Sequence, residues 1–151
     1  MIDDVVTPSF RLSEFLVSDM AVRRGIDNTP SATQLANVRN ILAPGMQEIR
    51  DILGLPIFIT SGFRSVAVNK AVGGSKDSQH CDGLAADFKC PAMGLPSTVA
   101  KFLLVHGSRL PFDQLIMEGG WVHVSFVSKD PRHDVLTAHF TPAGVTYTIG
   151  L

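Results

Sequence analysis

The 151-residue chain predicts an α+β fold: N-terminal helices packed on a mostly antiparallel sheet that carries the functional residues. Three observations point there. Between Ser31 and Leu53 the apolar residues Leu35, Val38, Leu42, Met46, Ile49 and Leu53 recur at steps of three and four, the period of an amphipathic helix. The second half holds short β-branched and aromatic runs bounded by Gly and Pro. Two of those runs are joined by Gly119-Gly120 alone, a strong hairpin signature.

In chain order, Ser13 can cap a helix running to about Arg24, with Phe15, Leu16 and Met20 on its apolar side and Gly25 as its stop. Asp27 to Ser31 is a loop that delivers the next N-cap. The helix over 31–53 is expected to bend at Pro44-Gly45, where proline removes a backbone donor. Pro56 to Thr60 reads as a strand, and Ser61-Gly62-Phe63-Arg64-Ser65 breaks it and opens a short helix to about Val72. Gly73-Gly74-Ser75 is a flexible joint. Leu84 to Lys89 is a second strand and Ser97 to about Gly107 a helix. Asp113–Glu118 and Trp121–Phe126 form the Gly-Gly hairpin. Val135–Thr137 and Val145–Thr148, around Pro142-Ala143-Gly144, read as a closing pair of edge strands. No repeat, low-complexity tract or linker divides residues 1–151, so one domain is expected.

Apolar residues make up 45% and charged ones 18%, which places the chain among globular proteins. A net charge of −1 with no basic run argues against nucleic acid or an anionic membrane as partner. Cys81 and Cys90 are too few for a disulfide framework. The acidic start Met1-Ile2-Asp3-Asp4 lacks the pattern of a secretory leader, so synthesis in the cytoplasm without membrane insertion is expected. A monomer is the separate expectation for its assembly.

The stretch Ser78-Gln79-His80-Cys81-Asp82-Gly83-Leu84-Ala85-Ala86-Asp87 places an imidazole and a carboxylate seven residues apart, one in a loop and one in a strand. His123, in the strand Trp121-Val122-His123-Val124-Ser125, supplies a third ligand. His80, Asp87 and His123 are therefore expected to hold one Zn2+ with a coordination position left open. If Gly119 and Gly120 are the turn residues, Glu118 faces Trp121 and Ile116 faces His123. Alternation then puts Glu118, Trp121 and His123 on one face, with Glu118 where a general base would sit. Strand parity points Gln114 into the same cleft. Trp121 either lines the substrate groove or packs beside it.

Ser78-x-His80-x-x-Gly83-x-Ala85-x-Asp87 with a later Trp121-Val122-His123, and upstream Ser61-Gly62-Phe63-Arg64-Ser65 and Asn69, resembles the zinc D-Ala-D-Ala carboxypeptidase family. These are peptidoglycan peptidases that include phage endolysins and vancomycin-resistance dipeptidases. The resemblance runs from about Leu12 to the end and is closest to short phage and prophage members. It implies that His80, Asp87 and His123 are zinc ligands, that Arg64 anchors a substrate carboxylate and that Ser78 lies near bound substrate. Several family members place the catalytic acid three residues before the second histidine. Here that residue is Gly120, and Glu118, five before, takes its place.

The implied activity is zinc-dependent hydrolysis of peptidoglycan stem peptides at the bacterial cell wall, as a D-Ala-D-Ala carboxypeptidase or L-Ala-D-Glu endopeptidase of phage or prophage origin. The competing expectation is a non-catalytic, zinc-stabilised cell-wall-binding or virion module, motivated by Gly120. Each residue also has a plainer reading. A lone loop histidine is usually a surface residue, and Arg64 could pair with Asp51 and only hold a loop. His106, His133 and His139 read as surface or core histidines.

Overall fold

The computed structural model describes residues 3–151. Val5–Thr7 (β1) and Phe10–Arg11 (β2) form a small antiparallel ribbon that had no counterpart in the sequence reading. The expected helix from Ser13 to Arg24 is two helices, Leu12–Leu16 (α1) and Asp19–Arg24 (α2). The break has a local cause. The Ser18 hydroxyl accepts the Ala21 N–H (3.2 Å) and so caps a new helix, while the Asn28 amide takes the freed Leu16 carbonyl (3.0 Å).

The amphipathic stretch runs as Ala32–Asn37 (α3), a π-helical turn over Val38–Leu42, and Ala43–Leu53 (α4). Ser31 caps it through the Gln34 N–H, and Gln34 returns the bond to the Ser31 N–H. Pro44 lacks an N–H, and the chain widens into the π turn just before it instead of kinking sharply. Phe58–Ser61 (β3), Val66–Ala71 (α5), Ala85–Lys89 (β4), Pro96–His106 (α6), Phe112–Met117 (β5) and Val122–Phe126 (β6) follow the expected order. Asp134–Thr141 (β7) and Gly144–Ile149 (β8) close the chain.

The fold is α+β, with a six-stranded sheet ordered β3-β4-β6-β5-β7-β8. Every pairing is antiparallel except β5–β7. That parallel pairing places β7 inside the sheet, so only β8 of the closing pair is an edge. The β5–β6 register puts Ile116 opposite His123, and the Glu118 N–H donates to the Trp121 carbonyl (3.0 Å), as the two-glycine link requires. Of the two glycines only Gly119 takes a positive φ, at 70°.

Cross-strand registers define the sheet's two faces. Ser61, Asp87, His123, Ile116, Leu136 and Ile149 pair in succession and form one row across all six strands. Side chains alternate along each strand, so the opposite face presents Ala86, Phe88, Val122, Val124 and Leu115. That face packs with Leu42, Met46 and Ile49 of the amphipathic stretch and Val99 and Leu103 of α6 into one core, all at most 1% exposed. Burial of this apolar face anchors the sheet and leaves the other face free for polar chemistry.

Candidate metal centre

His80 comes from a 3-10 turn over Gln79–Asp82, which the Ser78 hydroxyl caps by accepting the His80 N–H (3.3 Å). Gly83 ends the turn with a positive φ of 72° and returns the chain into β4, where Asp87 points onto the polar face. Asp87 and His123 are direct cross-strand partners on β4 and β6. The structure thus brings together three side chains from a turn and two strands. His80 Nε2 lies 3.2 Å from Asp87 Oδ1 and 3.2 Å from His123 Nδ1, and His123 Nδ1 lies 3.0 Å from Asp87 Oδ1. All three residues are buried.

His80 Nδ1 donates to the Gly62 carbonyl (2.7 Å), which can only accept, so the neutral ring turns a lone pair on Nε2 toward the Asp87 carboxylate. Burial lowers the His80 pKa, an effect larger than the opposing pull of Asp87, and holds the ring neutral. Burial opposes ionisation of Asp87, yet the His123 and His80 imidazoles beside it hold its carboxyl well below the usual carboxylate range. Lone pairs on His80 Nε2 and Asp87 Oδ1 therefore face one point, which His123 Nδ1 also adjoins. A cation between them resolves the conflict, and a tetrahedral zinc with ~2.0–2.1 Å bonds sets its ligand atoms about 3.3 Å apart. The observed 3.0–3.2 Å separations fit that group. The Nδ1–H bond to a backbone carbonyl also fixes ring and tautomer, as ligating histidines commonly require.

Arg64 stands behind the carboxylate. Its guanidinium donates to Asp87 Oδ2, Asn69 Oδ1 and Ser61 Oγ, each at 3.1 Å, while its backbone N–H donates to the His80 carbonyl (3.1 Å). It does not reach Asp51, which bonds Gln47. Glu118 lines the same cleft and receives the Trp121 indole N–H on Oε2 (3.1 Å). Burial pushes the Glu118 carboxyl above its ordinary pKa; His123 and the Trp121 bond pull it down and the Asp87 charge adds to the rise.

A family model described as peptidase M15 matches residues 8–125, more than half of the chain. The chain belongs to the peptidase M15 family. The family bears out the resemblance to zinc D-Ala-D-Ala carboxypeptidases and makes this a member of a metallopeptidase family acting on peptidoglycan. Among curated proteins, nothing matches the chain. The M15 match ends inside β6, after the second histidine, so β7 and β8 lie beyond it.

In this M15 protein Ser78, Gln114 and Trp121 also line the cleft that holds His80, Asp87 and His123, whose volume is about 590 Å3. Ser78 is occupied as a helix cap, and Trp121 stands 6.2 Å from the Phe140 ring. His106 packs on Phe102, His133 on Phe112, and His139 bonds Thr148, so none joins the metal cluster. Cys81 and Cys90 are free thiols. Sequence reasoning missed Arg132 and Asp113. The Arg132 side chain grips the buried Asp113 carboxylate at 2.6–3.2 Å, and the Gln79 amide, next to His80, donates to the same carboxylate (3.0 Å). Nothing in their spacing, 19 residues apart, marks them as partners. Phe140 and Tyr147 were missed as well. Strand alternation groups them, but it does not say which face of the hairpin meets the cleft.

No described helix is long and apolar enough to cross a membrane.

Proposed function

We propose that this M15 protein is a zinc peptidase that hydrolyses stem peptides of bacterial peptidoglycan, with Glu118 as its proton-transferring group. The observation that carries the reading is the convergence of His80 Nε2, Asp87 Oδ1 and His123 Nδ1 within a cleft that Glu118 and Arg64 also line. Those three atoms would hold the zinc. When bound, the ion supplies Lewis acidity toward a peptide carbonyl and acidifies water.

The chain's own residues do the rest. The Trp121 N–H holds Glu118 Oε2 and so leaves Oε1 to take a proton from the attacking water and deliver it to the leaving amine. A carboxyl whose burial raises its proton affinity suits both halves of that transfer. Arg64 fixes Asp87 through Oδ2. Of the five N–H donors of a guanidinium it uses three, so two remain for a substrate carboxylate. Stem peptides carry carboxylates at D-Ala, D-Glu and diaminopimelate. The resemblance to short phage and prophage members extends the proposal to an endolysin acting at the cell wall.

The test is incubation of purified, zinc-loaded protein with cell-wall sacculi. Release of new amino termini that stops with chelator, and that Glu118→Gln abolishes while retaining zinc, is the expected result. A wild-type protein that binds wall fragments and never cleaves them would replace this reading with the non-catalytic module.

A further inference from the structure

The hairpin of β7 and β8 lies beyond the M15 match, yet it forms one wall of the metal cleft. Its registers pair Leu136 with Ile149, Ala138 with Tyr147 and Phe140 with Val145, so these six side chains share one face. The other face carries Thr137, His139, Thr146 and Thr148. The apolar side is therefore the one turned to the cleft, and it is uncovered: Phe140 is 56% exposed, Val145 45% and Tyr147 53%. Exposed aromatic surface continuous with a polar centre marks a place where a ligand completes the burial.

The strand order supplies a ruler. Arg64 sits toward the β3–β4 side of the metal residues, and the hairpin lies on the opposite side. From the His123 strand, β7 is two strand spacings away and β8 three, or roughly 10 and 14 Å. An extended peptide advances about 3.3 Å per residue, so those strands stand roughly three and four residues from the metal residues. A dipeptide held at His80, Asp87 and His123 spans less than that backbone separation.

We propose that the β7–β8 hairpin is a specificity wall that selects an extended peptide over a dipeptide, with Phe140 and Tyr147, beside Trp121, contacting residues about three to four positions from the scissile bond. The proposal rests on the peptidase reading and deepens it. The occupant is peptide, because the contact runs unbroken from an arginine suited to a carboxylate, past the hydrolytic centre, to the apolar wall. Ala138, the small residue beside Tyr147 in the pairing, leaves room for the phenol ring to lie over the cleft.

The experiment compares kcat/KM of the zinc-loaded full chain on synthetic stem peptides of increasing length that share one scissile bond. Wild type should prefer the pentapeptide, and Phe140→Ala and Tyr147→Ala should lower the long-to-short ratio roughly tenfold or more, as loss of an apolar contact does. Tyr147→Phe should keep most of it, since the ring makes the contact. A ratio unchanged in both alanine variants, with zinc content and circular dichroism intact, overturns the proposal.

Should wild type cleave none of these peptides, the peptidase reading fails and the wall is read by binding instead. Trp121 is the single tryptophan and lies against Phe140, so its fluorescence reports occupancy of the cleft. Pentapeptide binding that weakens in the alanine variants sustains the wall. Pentapeptide binding no tighter than dipeptide binding overturns it, as does affinity gained only when a disaccharide is attached, which would make the occupant a glycan.

Discussion

Replacing Arg64 by lysine should cost zinc affinity as well as fold stability. The guanidinium spans Ser61 Oγ, Asn69 Oδ1 and Asp87 Oδ2 at once, each at 3.1 Å, and its side chain is only 14% exposed. An ammonium is a point donor and can keep one of these partners, naturally the buried carboxylate. Two hydrogen bonds to a charged group are then lost, at about 1.5–3 kcal/mol each, with part recovered by relaxation, so a net loss of roughly 2–4 kcal/mol is expected. Asp87 Oδ2 also loses its planar partner and the carboxylate is free to rotate. Loss of such an outer contact typically weakens metal binding about 10–100-fold. Competition with a chromophoric chelator reads the zinc affinity, and urea denaturation of metal-free protein reads the stability. Zinc affinity within twofold of wild type would refute the view that Arg64 orients Asp87.

Further outcomes follow from the same contacts. Zinc at a hundredfold over its dissociation constant should stabilise the fold by about 2.7 kcal/mol, raising Tm by roughly 5–10 °C, and Asp87→Asn should abolish the shift in a thermal melt. Acid should weaken zinc binding, because both imidazoles must be neutral to ligate, and isothermal titration across pH 5–8 checks it. Gly62→Ala would place a methyl 2.3 Å from the Phe15 carbonyl oxygen, forcing the segment that accepts the His80 Nδ1–H to move; a loss of about 1–3 kcal/mol with weakened zinc binding is expected. The Asp113 pKa is lowered from 3.8 to about 2, first by the Arg132 hydrogen bonds against the opposing effect of burial. Its contribution is fully present above pH 3.8 and lost as pH falls toward 2. The shift corresponds to about 2 kcal/mol, trimmed to about 1–2 because the Arg132 side chain is 52% exposed. Urea titrations should therefore show the gap between wild type and Asp113→Asn narrowing as pH drops from 5 to 2.

Features that depend on neighbouring residues were legible in the chain. Gly119-Gly120 set the β5–β6 register from Gln114 to Met117, because the turn dictates which positions oppose, before a bulge at Asp113 shifts it by one. The three-and-four spacing of Leu35 to Leu53 marked the helical stretch that the core buries. The amphipathic stretch still hid a π turn, and Ser18 split an expected helix in two. Both are contests between local hydrogen-bond options of similar energy, which spacing alone does not rank.

Non-local encounters were decided by the tertiary structure. The parallel pairing of β5 with β7 brings residues 114–117 beside 134–137 across a connection without periodic signature. That pairing swings Phe140 and Tyr147 over the cleft. Likewise Arg64 finds Asp87, and Arg132 finds Asp113, only after the sheet has formed. Alternation along a strand is a local property and leaves its trace in the order of residues. Which strand lies beside which is settled by the free energy of burying one shared face, a sum over the whole chain that no single stretch records.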